Sequence, residues 1–119
     1  MPKTEVQIIL QQYENHIVVP VPNLISDRYF MNLNKNILDV LSCTSIRGVI
    51  LDISGVEIMD KSDFINMNKA IKNSQLMGVT VIVVGMQPSV AAALALLNVD
   101  DKWTRSTITV EHAIRILRC

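Results

Sequence analysis

Aromatic residues, glycine and a surplus of either charge are all scarce in this sequence. Only 4% of the 119 residues are aromatic, so the hydrophobic core has to be built from aliphatic side chains, which are abundant. The formal net charge is zero, whereas a domain that binds nucleic acid usually carries a basic excess that neutralises phosphates. A chain of this length fits one domain, and nucleic acid is not expected as its partner.

Long hydrophobic runs and targeting signals are missing as well. The longest apolar stretches, VTVIVVGM and VAAALALL, are far shorter than the roughly 20 residues that cross a bilayer. The start, MPKTEVQIIL, lacks the basic, apolar and small-residue sections of a secretory signal. Cys43 and Cys119 form no Cys-x-x-Cys pair and indicate no disulfide. We therefore expect a cytoplasmic protein with no membrane segment, whose nearly neutral, aliphatic-rich surface favours self-association.

The common signatures of enzymes and cofactor sites are also absent. The four glycines are scattered between Gly48 and Gly85, which excludes a glycine-rich phosphate loop. His16 and His112 lie far apart without metal-ligand spacing, and we interpret them as a strand start and a helix surface residue. No serine lies in a nucleophile-elbow pattern. The sequence therefore predicts a protein that is not an enzyme and that needs no metal or other cofactor.

The first third of the chain predicts a hairpin and a helix. VQIIL (6–10) and HIVVPV (16–21) are rich in β-branched residues, and the polar spacer QQYEN separates them, which is typical of an antiparallel hairpin. From Ser26 onward the hydrophobic period becomes helical, with Ser26 or Asp27 available as the N-cap. The face of this helix consists of Phe30, Leu33, Ile37 and Leu41.

The remainder alternates strands with helices. RGVILDIS (47–54) and VTVIVVG (79–85) are apolar runs of the kind found in parallel strands buried on both faces, and STITV (106–110) reads as an edge strand. Helices are predicted from Ser62 to the stop at Gly78, from Pro88, and over the C-terminal residues. The apolar positions of these helices are Phe64, Met67, Ile71, Ile65 and Leu76, and then Val110, Ala113, Ile114 and Leu117. The order predicts one α/β domain over residues 1–119, with parallel central strands and about four helices.

Charged and hydroxyl residues are concentrated in the stretch Asp60-Lys61-Ser62-Asp63, between a predicted strand and a predicted helix. A serine at a helix start can serve as its N-cap. Phosphorylated, it carries roughly −1.5 to −2 charges, which a helix N-terminus tolerates. The spacing alone leaves both interpretations open. A phosphorelay receiver with Asp52 as its acceptor is excluded, because no carboxylate pair follows the first strand.

Two segments resemble a known family. VILDISGVEIMD (49–60) and SQLMGVTVIVVGMQPSVAAAL (74–94) are similar to the STAS domain of bacterial anti-sigma-factor antagonists, and most of all to the small S subunit of the stressosome scaffold. The resemblance implies a mixed STAS-type sheet and a non-enzymatic protein that binds a serine/threonine kinase of the anti-sigma type. It also implies packing with paralogous STAS proteins in a homo- or hetero-oligomer. The loop that holds Met86 and Gln87 would share the partner surface.

The same resemblance implies that a hydroxyl residue at the start of the second helix is phosphorylated by the kinase and restored by a phosphatase. Asp60 matches the aspartate of the family motif, but Lys61 stands where a hydroxyl residue is common, and Ser62 matches a second hydroxyl position. Asp63 replaces a glycine of shorter antagonists. Two hypotheses follow. In the first, Ser62 is the regulated site, Asp60 shapes its loop, and Lys61 and Asp63 tune the local charge. In the second, the chain is a purely structural scaffold whose charge at the helix start is fixed.

Overall fold

A five-stranded mixed sheet forms the centre of the molecule. The computed structural model describes residues 8–23, 28–97, 105–107 and 109–118. The strands lie side by side in chain order: β1 (Gln11–Tyr13), β2 (His16–Pro20), β3 (Gly48–Asp52), β4 (Thr80–Val84) and β5 (Arg105–Thr107). β1 is antiparallel to β2, and the other neighbours are parallel. The helices are α1 (Tyr29–Cys43), α2 (Lys61–Leu76), α3 (Pro88–Leu97) and α4 (Val110–Arg118). The predicted α/β fold and element order are confirmed.

Alternating residues of the central strands bury opposite faces of the sheet. One face packs against α1, α2 and α3, and its strand residues are Ile17, Val19, Val49, Leu51, Val81 and Val83. The other face packs against α4 through Val18, Ile50, Ile82 and Val84. Side chains of a strand alternate between faces with a period of two. The continuous apolar runs of the sequence therefore reflect strands that are covered on both sides.

The hairpin differs from its prediction in the position of its first strand. β1 occupies Gln11–Tyr13, because Tyr13 pairs directly with His16 across a two-residue turn. Of the strand predicted over residues 6–10, residues 6 and 7 lie outside the described residues. Glu14, in that turn, has φ 55, the left-handed geometry that tight hairpin turns require. Residues 8–10 form no strand, although Ile8 and Leu10 pack against the helical side of the core. Their apolar character reflects side-chain burial without ladder pairing.

The helices bury the apolar positions that the sequence predicted, wholly or in part, with two exceptions in α2. Phe64, Met67 and Ile71 are buried, but Leu76 is 85% exposed and Ile65 lies at the surface. Ser74 takes the inward position in the last turn instead, and its hydroxyl donates to the Ala70 carbonyl at 3.0 Å. A serine that bonds back to the preceding turn satisfies its hydroxyl inside a core.

The ends of the helices agree in part with the expected signals. α2 ends before Gly78, which has φ +85, a conformation that favours glycine. The predicted caps of α1, Ser26 and Asp27, lie outside the described residues; the helix begins at Tyr29 after Arg28, which makes no side-chain cap bond.

α4 covers β3, β4 and β5 from the second face of the sheet. Ala113 is fully buried, and Val110, Ile114 and Leu117 pack beside it, as the spacing predicted. β5 forms the edge next to β4, so the expectation of an edge strand is confirmed, but its bounds are Arg105–Thr107 rather than 106–110. Thr109 is not in the strand, and Val110 begins α4. Within the described ranges, no helix combines the length and apolar character needed to cross a membrane.

Candidate functional site

The loop between β3 and α2, residues 53–60, starts at the carboxyl end of the central strand. The side chains of Ile53, Val56 and Met59 are buried, which anchors the loop on the core. The Ile53 amide donates to the Val84 carbonyl at 2.9 Å, and the Val56 amide donates to the Ile53 carbonyl at 3.0 Å. Ile58, between two anchors, is 78% exposed. The loop is therefore held firmly while one large apolar side chain projects outward.

A pair of aspartates caps α2. The Asp60 carboxylate accepts from the Asp63 amide at 2.8 Å, and the Asp63 carboxylate accepts from the Asp60 amide at 3.1 Å. This reciprocal arrangement is a capping box. The interpretation of Ser62 as the helix cap is therefore wrong. Ser62 is the second residue of the helix, whereas the N-cap is Asp60, the residue that precedes the helix and accepts a hydrogen bond from one of its first amides.

The side chain of Ser62 faces solvent in the first turn of α2, as does that of Lys61, whereas Asp63 is half-buried. The first amides of a helix have no intrahelical acceptor, and the macrodipole makes this end partly positive. A phosphate on Ser62 would meet that favourable field and the ammonium group of Lys61. It would also lie close in sequence to the carboxylates of Asp60 and Asp63, which repel it.

A second loop, residues 85–87 between β4 and α3, lies against the first. Gly85 has φ +75, and a Cβ placed on it would lie 2.7 Å from the Cβ of Ser54. Both features require glycine at this position. The side-chain amide of Gln87 donates to the Ser54 carbonyl at 2.7 Å, and the Ser89 hydroxyl donates to the Glu57 carbonyl at 2.9 Å. Two side chains from the start of α3 thus tether the β3–α2 loop.

The predicted partner residues of the second loop are less exposed than expected for pure contact residues. Met86 is half-buried and packs against the helical side of the core. Gln87 is also half-buried, and its amide is engaged by the Ser54 carbonyl. Gln87 therefore helps to hold the two loops together, whereas Met86 contributes to the core.

A third segment contributes a tether that the sequence did not reveal. The Asn23 side-chain oxygen accepts from the Glu57 amide at 2.9 Å, and the Val21 amide donates to the Asp52 carbonyl at 2.9 Å. Asn23 and Glu57 are 34 residues apart, so no local pattern could have shown their contact. The chain after β2 therefore completes the framework around the β3–α2 loop.

Within the part of the chain that the structure describes, the remaining candidate residues are not grouped into a second site. His16 is buried at the start of β2, and His112 is exposed on α4, as interpreted. Cys43 is a free, exposed thiol, and Cys119 lies outside the described residues. Across the ranges that the structure describes, no three His, Cys, Asp or Glu side chains are grouped closely enough to hold a metal ion.

Comparisons with known proteins agree with this geometry. The family model of the STAS domain matches residues 7–113. The RsbT co-antagonist protein RsbRD of Bacillus subtilis is 26% identical over 97 residues, which cover 82% of this chain and 35% of the relative. The chain thus spans about a third of the length of that relative.

Solved structures share the fold at low sequence identity. A variant of RsbS from Moorella thermoacetica superposes with a TM-score of 0.79 at 17% identity, covering 95% of this chain and 96% of the other. A chain of the stressosome gives 0.80 at 17% identity, with 92% and 96% covered. Unphosphorylated SpoIIAA gives 0.72 at 14% identity, with 94% and 96% covered. With the family model matching nearly its whole length, this chain belongs to the STAS domain family.

Proposed function

We propose that this protein is a non-enzymatic, cytoplasmic signalling protein, a STAS anti-sigma-factor antagonist or stressosome scaffold acting as a single domain over residues 1–119. It binds a serine/threonine switch kinase together with paralogous STAS proteins, and phosphorylation of Ser62 regulates it. The observation that carries this proposal is the exposed position of Ser62 in the first turn of α2, at the end of a loop that three tethers hold in place.

Separation of the cap from the acceptor supports a switch. Because Asp60 caps α2, a phosphate on Ser62 leaves the capping hydrogen bonds intact. Phosphorylation adds roughly −1.5 to −2 charges at neutral pH, which changes the surface sharply while the fold persists. The unphosphorylated protein is expected to hold the kinase, and the phosphorylated protein to release it.

The relatives support the partner class. RsbRD is named a co-antagonist of RsbT, and one fold neighbour belongs to the stressosome, described as a signal integration and transduction hub. SpoIIAA is described as an anti-sigma factor antagonist and is known in unphosphorylated and phosphorylated forms. A kinase, an opposing phosphatase and other STAS proteins are the partners that such a role requires.

The second candidate function is a scaffold subunit that is not phosphorylated. Asp63 favours it, since its carboxylate already supplies a fixed negative charge in the first turn of α2. A carboxylate imitates part of a phosphate's effect but has neither its second charge nor its third oxygen. In this case regulation resides in other subunits of the assembly.

Intact-mass spectrometry after incubation with the cognate kinase and ATP separates the two functions. Ser62→Ala is the test variant, and Ser42→Ala is the control, because Ser42 is an exposed serine of α1 that takes no part in the tethers of the β3–α2 loop. The switch predicts one phosphate on wild type and on Ser42→Ala, and none on Ser62→Ala. Kinase binding without phosphate on any of the three would contradict the switch and support the scaffold.

A further inference from the structure

α4 leaves part of the sheet uncovered on the face that it occupies. The helix packs on β3, β4 and β5, and β1 and β2 extend beyond it. Val18 of β2 belongs to the core beneath α4. Gln11 is the cross-strand partner of Val18, and Pro20, two residues after Val18, is the partner of Asp52. Because paired and alternate residues share a face of a sheet, Gln11, Pro20 and Asp52 lie on the α4 face.

A pocket with a volume of about 540 Å³ lies in this uncovered part. Val18 and Pro20 line it from the sheet, and Val110 and Ile114 line it from the first turns of α4. Tyr13, which is 51% exposed, also lines it. Sites for small molecules typically have volumes of roughly 300 to 1,000 Å³ and mostly apolar walls with a few polar groups. The volume and the lining therefore suit a small organic molecule.

The charges of the pocket are acidic. Asp52, at the end of β3, and Glu111, in the first turn of α4, both line it. Among its described lining residues there is no lysine, arginine or histidine. The start of α4 contributes only about half a positive charge, which is less than the full negative charge of either carboxylate. The pocket therefore matches a cation.

An organic cation fits this lining better than a metal ion. The described part of the chain groups no three His, Cys, Asp or Glu side chains that could hold a metal. The apolar side chains of Val18, Ile114 and Tyr13 would have no role toward a bare ion, whereas they can pack against the body of an amine. A tyrosine ring also attracts ammonium and guanidinium groups through its face.

The pocket adjoins the framework of the β3–α2 loop. The Asp52 carboxylate accepts a hydrogen bond from the Ser54 amide at 3.0 Å, and the Ser54 carbonyl accepts one from Gln87 at 2.7 Å. A carboxylate has two oxygens and can accept several hydrogen bonds. Asp52 can therefore bind a cation and retain its bond to Ser54, and the Ser54 amide should report binding.

We propose that the pocket between β1, β2 and α4 binds a small organic cation. The carboxylates of Asp52 and Glu111 hold its ammonium or guanidinium group, and its apolar body packs against Val18, Ile114 and Tyr13. This inference goes beyond the proposed function, since it requires neither a kinase nor phosphorylation of Ser62.

A titration followed by the amide resonances of the isotope-labelled protein tests the site. Phenethylamine is the cationic probe, and phenethyl alcohol and phenylpropionate are neutral and anionic probes of similar size, all at the same neutral pH and ionic strength. The amine should shift the amides of Val18, Ser54 and Ile114 with a dissociation constant in the millimolar range, as expected for a ligand with few atoms. The alcohol and the carboxylate should bind more weakly by about tenfold or more, because they lack the charge–charge contact.

Three variants locate the cation. Asp52→Asn should weaken binding of phenethylamine by about tenfold, since it removes a charge and retains an oxygen for the Ser54 amide. Glu111→Gln should weaken it less, because Glu111 is exposed and salt screens its charge more strongly. Asp39→Asn is the control, since it makes the same change of charge at an exposed position of α1, and it should bind like wild type.

Several results would overturn the proposal. These are equal binding of the three probes, shifts that lie outside the pocket, and an affinity for the amine that Asp52→Asn leaves unchanged. A blocked lysine tripeptide (acetyl-Gly-Lys-Gly-amide) that binds more tightly than the amine by tenfold or more would assign the pocket to a side chain of a partner protein instead. Phosphorylation of Ser62, which is measured by mass, would be unaffected by any of these results.

Discussion

The carboxylate of Asp60 and the carboxylate of Asp63 each accept a hydrogen bond from the other residue's backbone amide, at 2.8 and 3.1 Å. Two acidic side chains thus hold the start of α2, and the serine between them contributes nothing to the cap. The cap therefore does not use the Ser62 hydroxyl. In the proposed switch, a phosphate on Ser62 changes the surface of the protein without removing a capping side chain.

Asp60→Ala is expected to destabilise the protein. The substitution removes the carboxylate that accepts a hydrogen bond from the Asp63 amide. The loss of an N-cap typically costs about 1 kcal/mol of stability. Asp60→Ser, which preserves a capping oxygen, should lose much less, and Ser62→Ala should change the free energy of unfolding by less than about 0.5 kcal/mol, as exposed substitutions usually do. Urea denaturation of the three variants measures these differences. A larger loss in Ser62→Ala than in Asp60→Ala would contradict the assignment of the cap.

Substitutions at Gly85 and Gly78 together measure how tightly the β4–α3 loop packs against the β3–α2 loop, because only Gly85 lies at that contact. Both have positive φ, but a Cβ at Gly78 meets nothing within 4 Å, whereas one at Gly85 lies 2.7 Å from the Cβ of Ser54 and 3.1 Å from its backbone. Gly78→Ala should cost about 1 kcal/mol for the backbone alone. Gly85→Ala should cost more by about 1 to 3 kcal/mol, the usual penalty of overpacking. Equal unfolding free energies would show that the loops separate freely.

Much of the fold was predictable because the sheet is covered on both faces. β3 and β4 are continuously apolar except at one end, where Asp52 closes β3 and Thr80 opens β4. Each central strand is followed by a helix, so their order and parallel direction follow from the pattern. β1 was misplaced because its residues, Gln11–Tyr13, are polar and exposed. Its position depends on the turn geometry, which a hydrophobic pattern does not record.

The candidate site was predictable only where its signals are local. The three-residue spacing of Asp60 and Asp63 is that of a capping box, so the sequence contained the sign that Ser62 is not the cap. The tethers from Asn23 and Gln87 join residues more than 30 positions apart. Only the folded backbone brings these partners together, and no spacing rule could have found them.

Gln87→Ala is expected to loosen the β3–α2 loop. The substitution removes the 2.7 Å hydrogen bond to the Ser54 carbonyl and leaves the helix start at Pro88 unchanged. Loops that lose tethers open more often and exchange their amides faster. Hydrogen exchange read by mass spectrometry should therefore rise in residues 54–60. Exchange in β3, which the neighbouring strands protect on both sides, should remain as in wild type.

Ser89→Ala makes a companion to that experiment. The Ser89 hydroxyl donates a hydrogen bond to the Glu57 carbonyl at 2.9 Å. Its loss should speed exchange in residues 54–60, and the variant that carries both Gln87→Ala and Ser89→Ala should exchange faster there than either single variant. If neither variant changed exchange in residues 54–60, the loop would be held by its buried anchors alone, and α3 would have no part in positioning Ser62.

Tyr29 supplies a prediction about alkaline pH. Its ring is 2% exposed, its hydroxyl has no hydrogen-bond partner among the described residues, and burial raises its pKa to about 12 from 10.0. Below pH 10 the group is neutral in both states. Between pH 10 and 12 the unfolded chain ionises while the native residue retains its proton, so stability falls as the pH rises. Tyr29→Phe should therefore lose less stability than wild type over this interval.

At neutral pH the same substitution should be neutral or stabilising. It removes a buried hydroxyl without a partner, whose burial carries a desolvation cost of about 1 to 3 kcal/mol, and it retains the edge-to-face contact with Phe30, whose ring centroid lies 5.2 Å away. Urea denaturation of wild type and Tyr29→Phe at neutral pH and near pH 11 measures both effects. A variant that is less stable at neutral pH, with the same alkaline loss as wild type, would indicate that the hydroxyl is hydrogen-bonded in solution. Because Tyr29 is in the first turn of α1, such a result would also locate an unrecognised polar contact at the entrance to that helix.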